Sequence, residues 1–144
     1  MMPPQVPASE KLRFRVLLRT RWSDEDNQSM LNNAVYLTLM EEGRLAYFTR
    51  LGLMEEGGRF SFVMAQCNAR FLGPGRGGME MEMELGTTHL GNSSFSQAYR
   101  IRDGAGGAVL CEAEALGVAW DNARRGKKPM EPEFRDAIAR FEGL

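Results

Sequence analysis

The chain has a single histidine, His89, and two cysteines, Cys67 and Cys111, among 144 residues. One histidine leaves little room for a serine or cysteine triad, and there is no Gly-x-Ser-x-Gly elbow to carry one. The cysteines have no metal-like spacing to each other or to the histidine, so no metal site is expected. Each falls inside a predicted strand, and free buried thiols in a reducing compartment are the plain reading. No glycine fingerprint for a dinucleotide is present. Gly73-Pro74-Gly75-Arg76-Gly77-Gly78 lacks the Lys-Ser/Thr ending of a phosphate-cradling loop and reads as backbone geometry. No cofactor is expected. No apolar run approaches the roughly 20 residues of a membrane span. Met1 to Glu10 lacks the basic start and apolar segment of a secretory signal, so a cytoplasmic protein is expected. A formal net charge of -1 argues against nucleic acid binding driven by overall charge.

Hydrophobic residues make up 43% of the chain and charged ones 26%, enough to build one soluble core. Residues 1–10 read as a flexible, proline-containing leader and 11–144 as one domain. The stretch from Trp22 to Leu53 organises the rest. Ser23-Asp24-Glu25-Asp26-Asn27-Gln28-Ser29 is a polar turn, too rich in turn formers for regular structure. A long helix then begins at Asn32 or Asn33, because asparagine is a strong N-cap, and Gly52 stops it. Helical spacing puts Tyr36, Leu37, Met40, Gly43, Tyr47, Phe48 and Leu51 on its apolar face. Arg44 falls inside that stripe, three residues after Glu41. An ion pair there, or a contact across an oligomer interface, would account for it.

Strands surround the helix in sequence. Leu12 to Trp22 alternates apolar residues with Arg13, Arg15, Arg19 and Arg21. Phe62 to Leu72 alternates with Val63, Ala65, Cys67, Ala69 and Phe71 on one face. Met79 to Leu85 sets methionines against Glu80, Glu82 and Glu84. That glutamate row is expected to face the first strand's arginines, on a neighbouring strand or across a subunit contact. Ser94 to Arg102 and Ala108 to Trp120 follow, joined by a glycine-rich hairpin turn. Asp121 to Lys128 leaves the sheet with Arg124, Arg125, Lys127 and Lys128 clustered, and Glu133 to Phe141 closes as a short helix. Short connections after the long helix make the sheet antiparallel. The architecture is α+β: about five antiparallel strands around one long central helix, with a short C-terminal helix.

The carboxylates of the turn carry two readings. They cap the helix, or one of them works beside its opening turn, where unpaired N–H groups and a partial positive charge can hold an oxyanion. A carboxylate with such a helix end and no histidine suits thioesters, because a thiol leaving group with a pKa of about 8.5 departs without much proton help.

Asp24-x-Asp26, then Leu31-Asn32-Asn33-x-x-Tyr36, then Glu41-x-x-Arg44 resembles the signature of hotdog-fold acyl-CoA thioesterases of the 4-hydroxybenzoyl-CoA thioesterase type. Arg70-Phe71-Leu72-x-Pro74, Gly91-Asn92-Ser93-Ser94-Phe95 and Asp121…Arg124…Lys128-Pro129 are similar to later landmarks of that family, over roughly residues 12 to 135. The resemblance implies a hotdog fold and a homodimer or homotetramer with sites at the subunit interface. It implies that Asp26 is the catalytic carboxylate, as base or nucleophile, and that the Asn33 amide is the oxyanion donor. Asn32, Met30 and Tyr36 would meet an acyl-CoA substrate, and Arg124, Arg125, Lys127 and Lys128 would either hold the phosphates of its coenzyme A tail or form a solvated loop. Ser29-Met30 stands where the family commonly has Gly-His, and Met30 with Leu31 makes that rim more apolar, leaning towards an uncharged acyl group. Two other functions stay open: an acyl-CoA binding protein without turnover, and a hydratase or dehydratase drawing on His89.

Overall fold

The computed structural model describes residues 2–144. In chain order it has β1 (Phe14–Arg19), α1 (Asn33–Arg50), β2 (Phe62–Phe71), β3 (Glu80–Leu90), β4 (Ser94–Asp103), β5 (Val109–Asp121), β6 (Gly126–Lys127) and α2 (Pro132–Glu142). The strands form one antiparallel sheet in the order β1-β3-β4-β5-β2, with β6 folded back on β5. This is the expected α+β hotdog arrangement, with a short sixth strand added. Asp121 to Lys128 does not leave the sheet. It turns at Arg125 (φ 61°), and Lys127 pairs with Trp120.

The long helix starts where its cap dictates. Asn32 is the N-cap and its side chain accepts the Ala34 N–H at 2.9 Å, while Gly52 takes φ 73° just past the end. Tyr36, Leu39, Met40, Gly43, Arg44, Tyr47 and Phe48 are buried against the sheet. Leu39 takes the place expected for Leu37, which is 48% exposed on the flank facing β2. A Cβ at Gly43 would overlap Met83 Sδ, so the glycine sets how closely helix and β3 approach.

The charge rows meet as expected, on neighbouring strands. Arg15 lies opposite Glu84, and Arg19 opposite Glu80. Glu84 is wholly buried and gathers Arg102 at 2.6 Å, Arg15 at 3.1 Å and Arg100 at 3.4 Å. Burial pushes its pKa up; the Arg102 and Ser9 hydrogen bonds and the arginine charges outweigh that and leave it below the ordinary value. Ser9–Lys11 forms a 3-10 turn, and Ser9 Oγ joins this cluster, so the fold takes in part of the segment read as a leader.

β2 departs from simple alternation. Its register with β5 shifts between Met64 and Gln66. The extra residue, Ala65, exchanges the two faces of the strand. Phe62 and Met64 face the helix side before it, and Cys67 and Phe71 after it. Cys67 is exposed and only Cys111 is buried, which corrects the reading of two buried thiols. Beyond β2 the sheet has no further strand among the described residues, so β2 is a free edge.

The topology separates two regions that the resemblance assigns to one substrate. β1 delivers the chain at the end of the sheet where Arg19, Glu80 and Phe71 lie. α1 then runs back, and the chain re-enters at Phe62, opposite Ala119. The 18 residues of α1 therefore carry the chain about 27 Å from one end of the sheet to the other.

Candidate active site

The polar turn before α1 holds three acidic residues, and the structure gives them different work. Asp24 is buried and bound by Arg21 through its backbone N–H at 2.8 Å and its guanidinium at 2.8 Å and 3.2 Å. The Arg21 side chain holds the Asp24 carboxyl below its ordinary pKa. Glu25 accepts the Gly77 N–H at 2.9 Å and so ties the turn to the segment before β3. Asp26 is left. It is half-buried, and its Oδ1 accepts the N–H groups of Gln28 at 2.8 Å and Met30 at 3.3 Å. Its Oδ2 makes no hydrogen bond among the described residues. The signal that separated Asp24 from Asp26 was present in the sequence as Arg21, three positions before Asp24, but nothing local marked it as the pair that forms.

Backbone contacts close this loop. The Asp26 N–H donates to Met30 O at 2.7 Å, Leu31 N–H to Gly75 O at 2.9 Å and Asn32 N–H to Asp24 O at 2.9 Å. Ser29 has φ 58°, a left-handed conformation that glycine adopts more easily. Serine here keeps the turn that the resembled signature builds with glycine. Gly75 allows the close approach: a Cβ there would lie 2.7 Å from Tyr36 Oη and 3.1 Å from Leu31 Cβ.

The helix opens at the same place. Asn32 satisfies the N–H groups of Ala34, through its side chain, and Val35, through its carbonyl. The Asn33 N–H has no hydrogen-bond partner among the described residues. Asn32, Asn33 and Met30 are exposed around it. One short segment thus presents a carboxylate with a free oxygen and an unpaired amide at the positive end of a helix. That pairing can take a proton from water and hold an oxyanion.

Tyr36 lies beneath the loop, while the basic cluster and His89 lie elsewhere. Tyr36 is 2% exposed, packs 5.4 Å from the Phe71 ring, and its hydroxyl has no partner. Burial pushes its pKa up to about 12. It supports the loop from beneath, because the i+3 position after the first helical residue faces the core. Arg124, Arg125 and Lys127 are exposed, and Lys128 pairs with Glu131 at 3.5 Å. Their segment packs on the far end of the sheet, where Lys128 N–H donates to Ala119 O and Asn122 bonds Glu55 and Phe60. Within one chain the basic cluster and the Asp26 loop are not brought together. His89 is exposed near that same far end, opposite Ser96, and no carboxylate among the described residues bonds it.

An antiparallel sheet wrapped around one long helix is the hotdog architecture. The sequence model of the Thioesterase-like superfamily matches residues 20–138, and the chain belongs to that family. It is similar to a thioesterase from Thermus thermophilus solved with coenzyme A and zinc, at 31% identity and TM-score 0.75, over 90% of this chain and 95% of that one. A putative thioesterase from Pseudomonas aeruginosa is 27% identical, with TM-score 0.75 over 87% and 97% of the two chains. A 1,4-dihydroxy-2-naphthoyl-CoA thioesterase from Synechocystis shares the fold at 18% identity and TM-score 0.77, over 88% and 95%. A search of curated proteins finds no match. No helix among the described residues is long and apolar enough to cross a membrane.

Proposed function

We propose that this chain hydrolyses acyl-CoA thioesters at a site shared by two copies, with Asp26 as the working carboxylate and the Asn33 N–H as the oxyanion donor. The observation that carries the reading is the unpaired Asn33 amide beside a loop that fixes one Asp26 oxygen and leaves the other free. Asp26 takes a proton from water as the water attacks the thioester carbonyl, or attacks it directly to form a mixed anhydride. The negative charge collects on the carbonyl oxygen, beside Asn33 and the helix end. The thiolate of coenzyme A then leaves and takes up a proton, and in the second route water hydrolyses the anhydride to release the acid and restore the Asp26 carboxylate. Asn32 orients the donor through its cap, and Met30 supplies an apolar rim for the acyl group. The Thermus relative, solved with coenzyme A, supports the same nucleotide thiol here. Free thiols and a coenzyme A substrate suit the cytoplasm.

A homodimer makes the site complete. β2 is a ten-residue free edge, with Val63 and Phe71 exposed along it and Leu37 and Leu45 exposed on the adjacent helix. Unpaired edges of this length invite a strand. Antiparallel pairing of two β2 strands about a two-fold axis sets the Asp26 end of one copy beside the basic end of the other. Arg124, Arg125 and Lys127 then face the phosphates of a coenzyme A whose thioester lies at the neighbouring Asn33. Two such dimers can associate further into a tetramer.

The test is thiol release from short, long and aromatic acyl-CoAs, with Asp26→Asn as the control. Release by the wild type and a drop in kcat of about 100-fold or more in the variant, with an unchanged circular dichroism spectrum, is the expected result. Turnover unchanged in Asp26→Asn removes this residue from the chemistry. Tight binding of acyl-CoA with no thiol release by the wild type supports a binding protein instead.

A further inference from the structure

Arg44 is the least explained charge in the molecule. It is 8% exposed, its Nη1 donates to Tyr99 Oη at 3.0 Å, and its Nε is buried without a partner. It forms no ion pair among the described residues. A guanidinium stays charged at any pH a folded protein meets, and a buried charge without a counter-ion is costly. A chain of donors does lead away from it: Tyr99 to Gln97, Gln97 to Thr87, and from Thr87 through Tyr47 to the carboxylate of Glu142. That chain spreads the charge across the core but leaves the other side of the guanidinium open. The open side lines a cavity of about 260 Å³ between α1 and β2, with Leu37, Glu41, Met64, Cys67 and Ala115.

Glu41 is the one carboxylate on that cavity, exposed one turn before Arg44, yet the two do not pair within the chain. Symmetry gives a reason. If all ten residues of β2 pair with a second β2, the two-fold axis passes near Gln66 and Cys67, the middle of the strand. Met64 and Cys67 border the cavity, so the cavity lies beside the axis. Each α1 then offers one exposed carboxylate and one buried cation to its mate.

We infer that Arg44 of each copy is neutralised by Glu41 of the partner subunit, giving two reciprocal ion pairs that lock the dimer across its axis. This rests on the dimer argued above, and it adds which residues fix the register and exclude other partners. Burying both groups fully in the interface makes the pair costly to break.

Charge reversal tests it by sedimentation velocity on the full chain. Glu41→Arg alone sets two cations together at each contact, and Arg44→Glu alone sets two carboxylates together. Each is expected to weaken dimerisation by about 100-fold or more. Mixed one to one, the two variants restore both attractive pairs, and a heterodimer within about tenfold of the wild-type dissociation constant is expected. Because Arg44→Glu can disturb the fold, Arg44→Met and Glu41→Gln serve as milder partners: the double variant must weaken the dimer no more than the single ones do. Cross-linking of wild-type copies through Cys67, the exposed cysteine, by a short bis-maleimide reports the axis independently. A cross-linked dimer whose affinity ignores every charge change overturns the ion pair while the dimer stands. A monomeric wild type that still releases thiol overturns the ion pair and the shared site together.

Discussion

Replacing Glu84 with glutamine should cost this protein more stability than almost any single isosteric change. The side chain is wholly buried between β1 and β4 and faces three guanidinium groups, at 2.6 Å from Arg102, 3.1 Å from Arg15 and 3.4 Å from Arg100, with Ser9 Oγ at 3.3 Å. A glutamine in its place would keep the volume and one acceptor, remove the only buried negative charge at the cluster, and turn an N–H towards a cation. Breaking a fully buried pair costs about 3–5 kcal/mol. Arg15 is 43% exposed and keeps much of its hydration, so the lower part of that range, about 3 kcal/mol, is expected. For a chain of this size that lowers the melting temperature by about 6–12 °C. The loss also has a pH signature. Glu84 titrates below its ordinary value of 4.5 in the folded state, so the unfolded chain binds its proton more readily. Its stabilisation is therefore complete above about pH 4.5 and is lost as pH falls through the folded value. Urea titrations at fixed protein concentration, from neutral pH down to pH 3, should show wild type and Glu84→Gln far apart at pH 7 and converging in acid. A gap below about 1 kcal/mol at neutral pH, or one that does not narrow in acid, would refute the account of the cluster.

Two further outcomes probe the loop and the helix start. Tyr36→Phe deletes a buried hydroxyl that has no partner, so stability should rise by up to about 1 kcal/mol in urea unfolding. The same variant should leave KM for acyl-CoA within about twofold; a large increase would mean that this hydroxyl meets substrate. Asn32→Ala removes the cap from the Ala34 N–H and should cost about 1 kcal/mol. It should also lower kcat, since the first turn no longer holds the Asn33 amide in place. Asn32→Asp, which keeps an acceptor at the cap, should recover both.

Local rules made part of this structure readable. The Met79 to Leu85 alternation became a strand because one apolar face and one glutamate face leave only one way to lie on a core. The helix start was readable because capping depends on the cap and the next few residues alone. What could not be read depends on one-residue slips or on topology. Ala65 inserts a bulge that exchanges the faces of β2, and a period-two pattern carries no mark of it. Leu37 and Leu39 flank the same helical stripe, and the sheet that decides between them is built from strands that come later in the chain. The basic run from Arg124 to Lys128 was legible as a cluster, but its distance from Asp26 follows from the direction of α1.

That distance bears on how such a site comes to exist at all. A helix end and a carboxylate loop can be made by 13 consecutive residues, Arg21 to Asn33, because capping and tight turns are local interactions. A surface for a long, multiply charged substrate cannot, and here the basic run from Arg124 to Lys128 is a helix length away. In the proposed dimer the free edge of β2 turns this separation into an advantage, since the two-fold operation that would satisfy the edge also reverses one copy end for end. Edge pairing, burial of Leu37 and Leu45, a counter-ion for Arg44 and assembly of the site would then be four consequences of the one symmetric contact we propose. A monomer would leave all four needs unmet, so variants that split the dimer should lose thioester hydrolysis even when Asp26 and Asn33 are untouched.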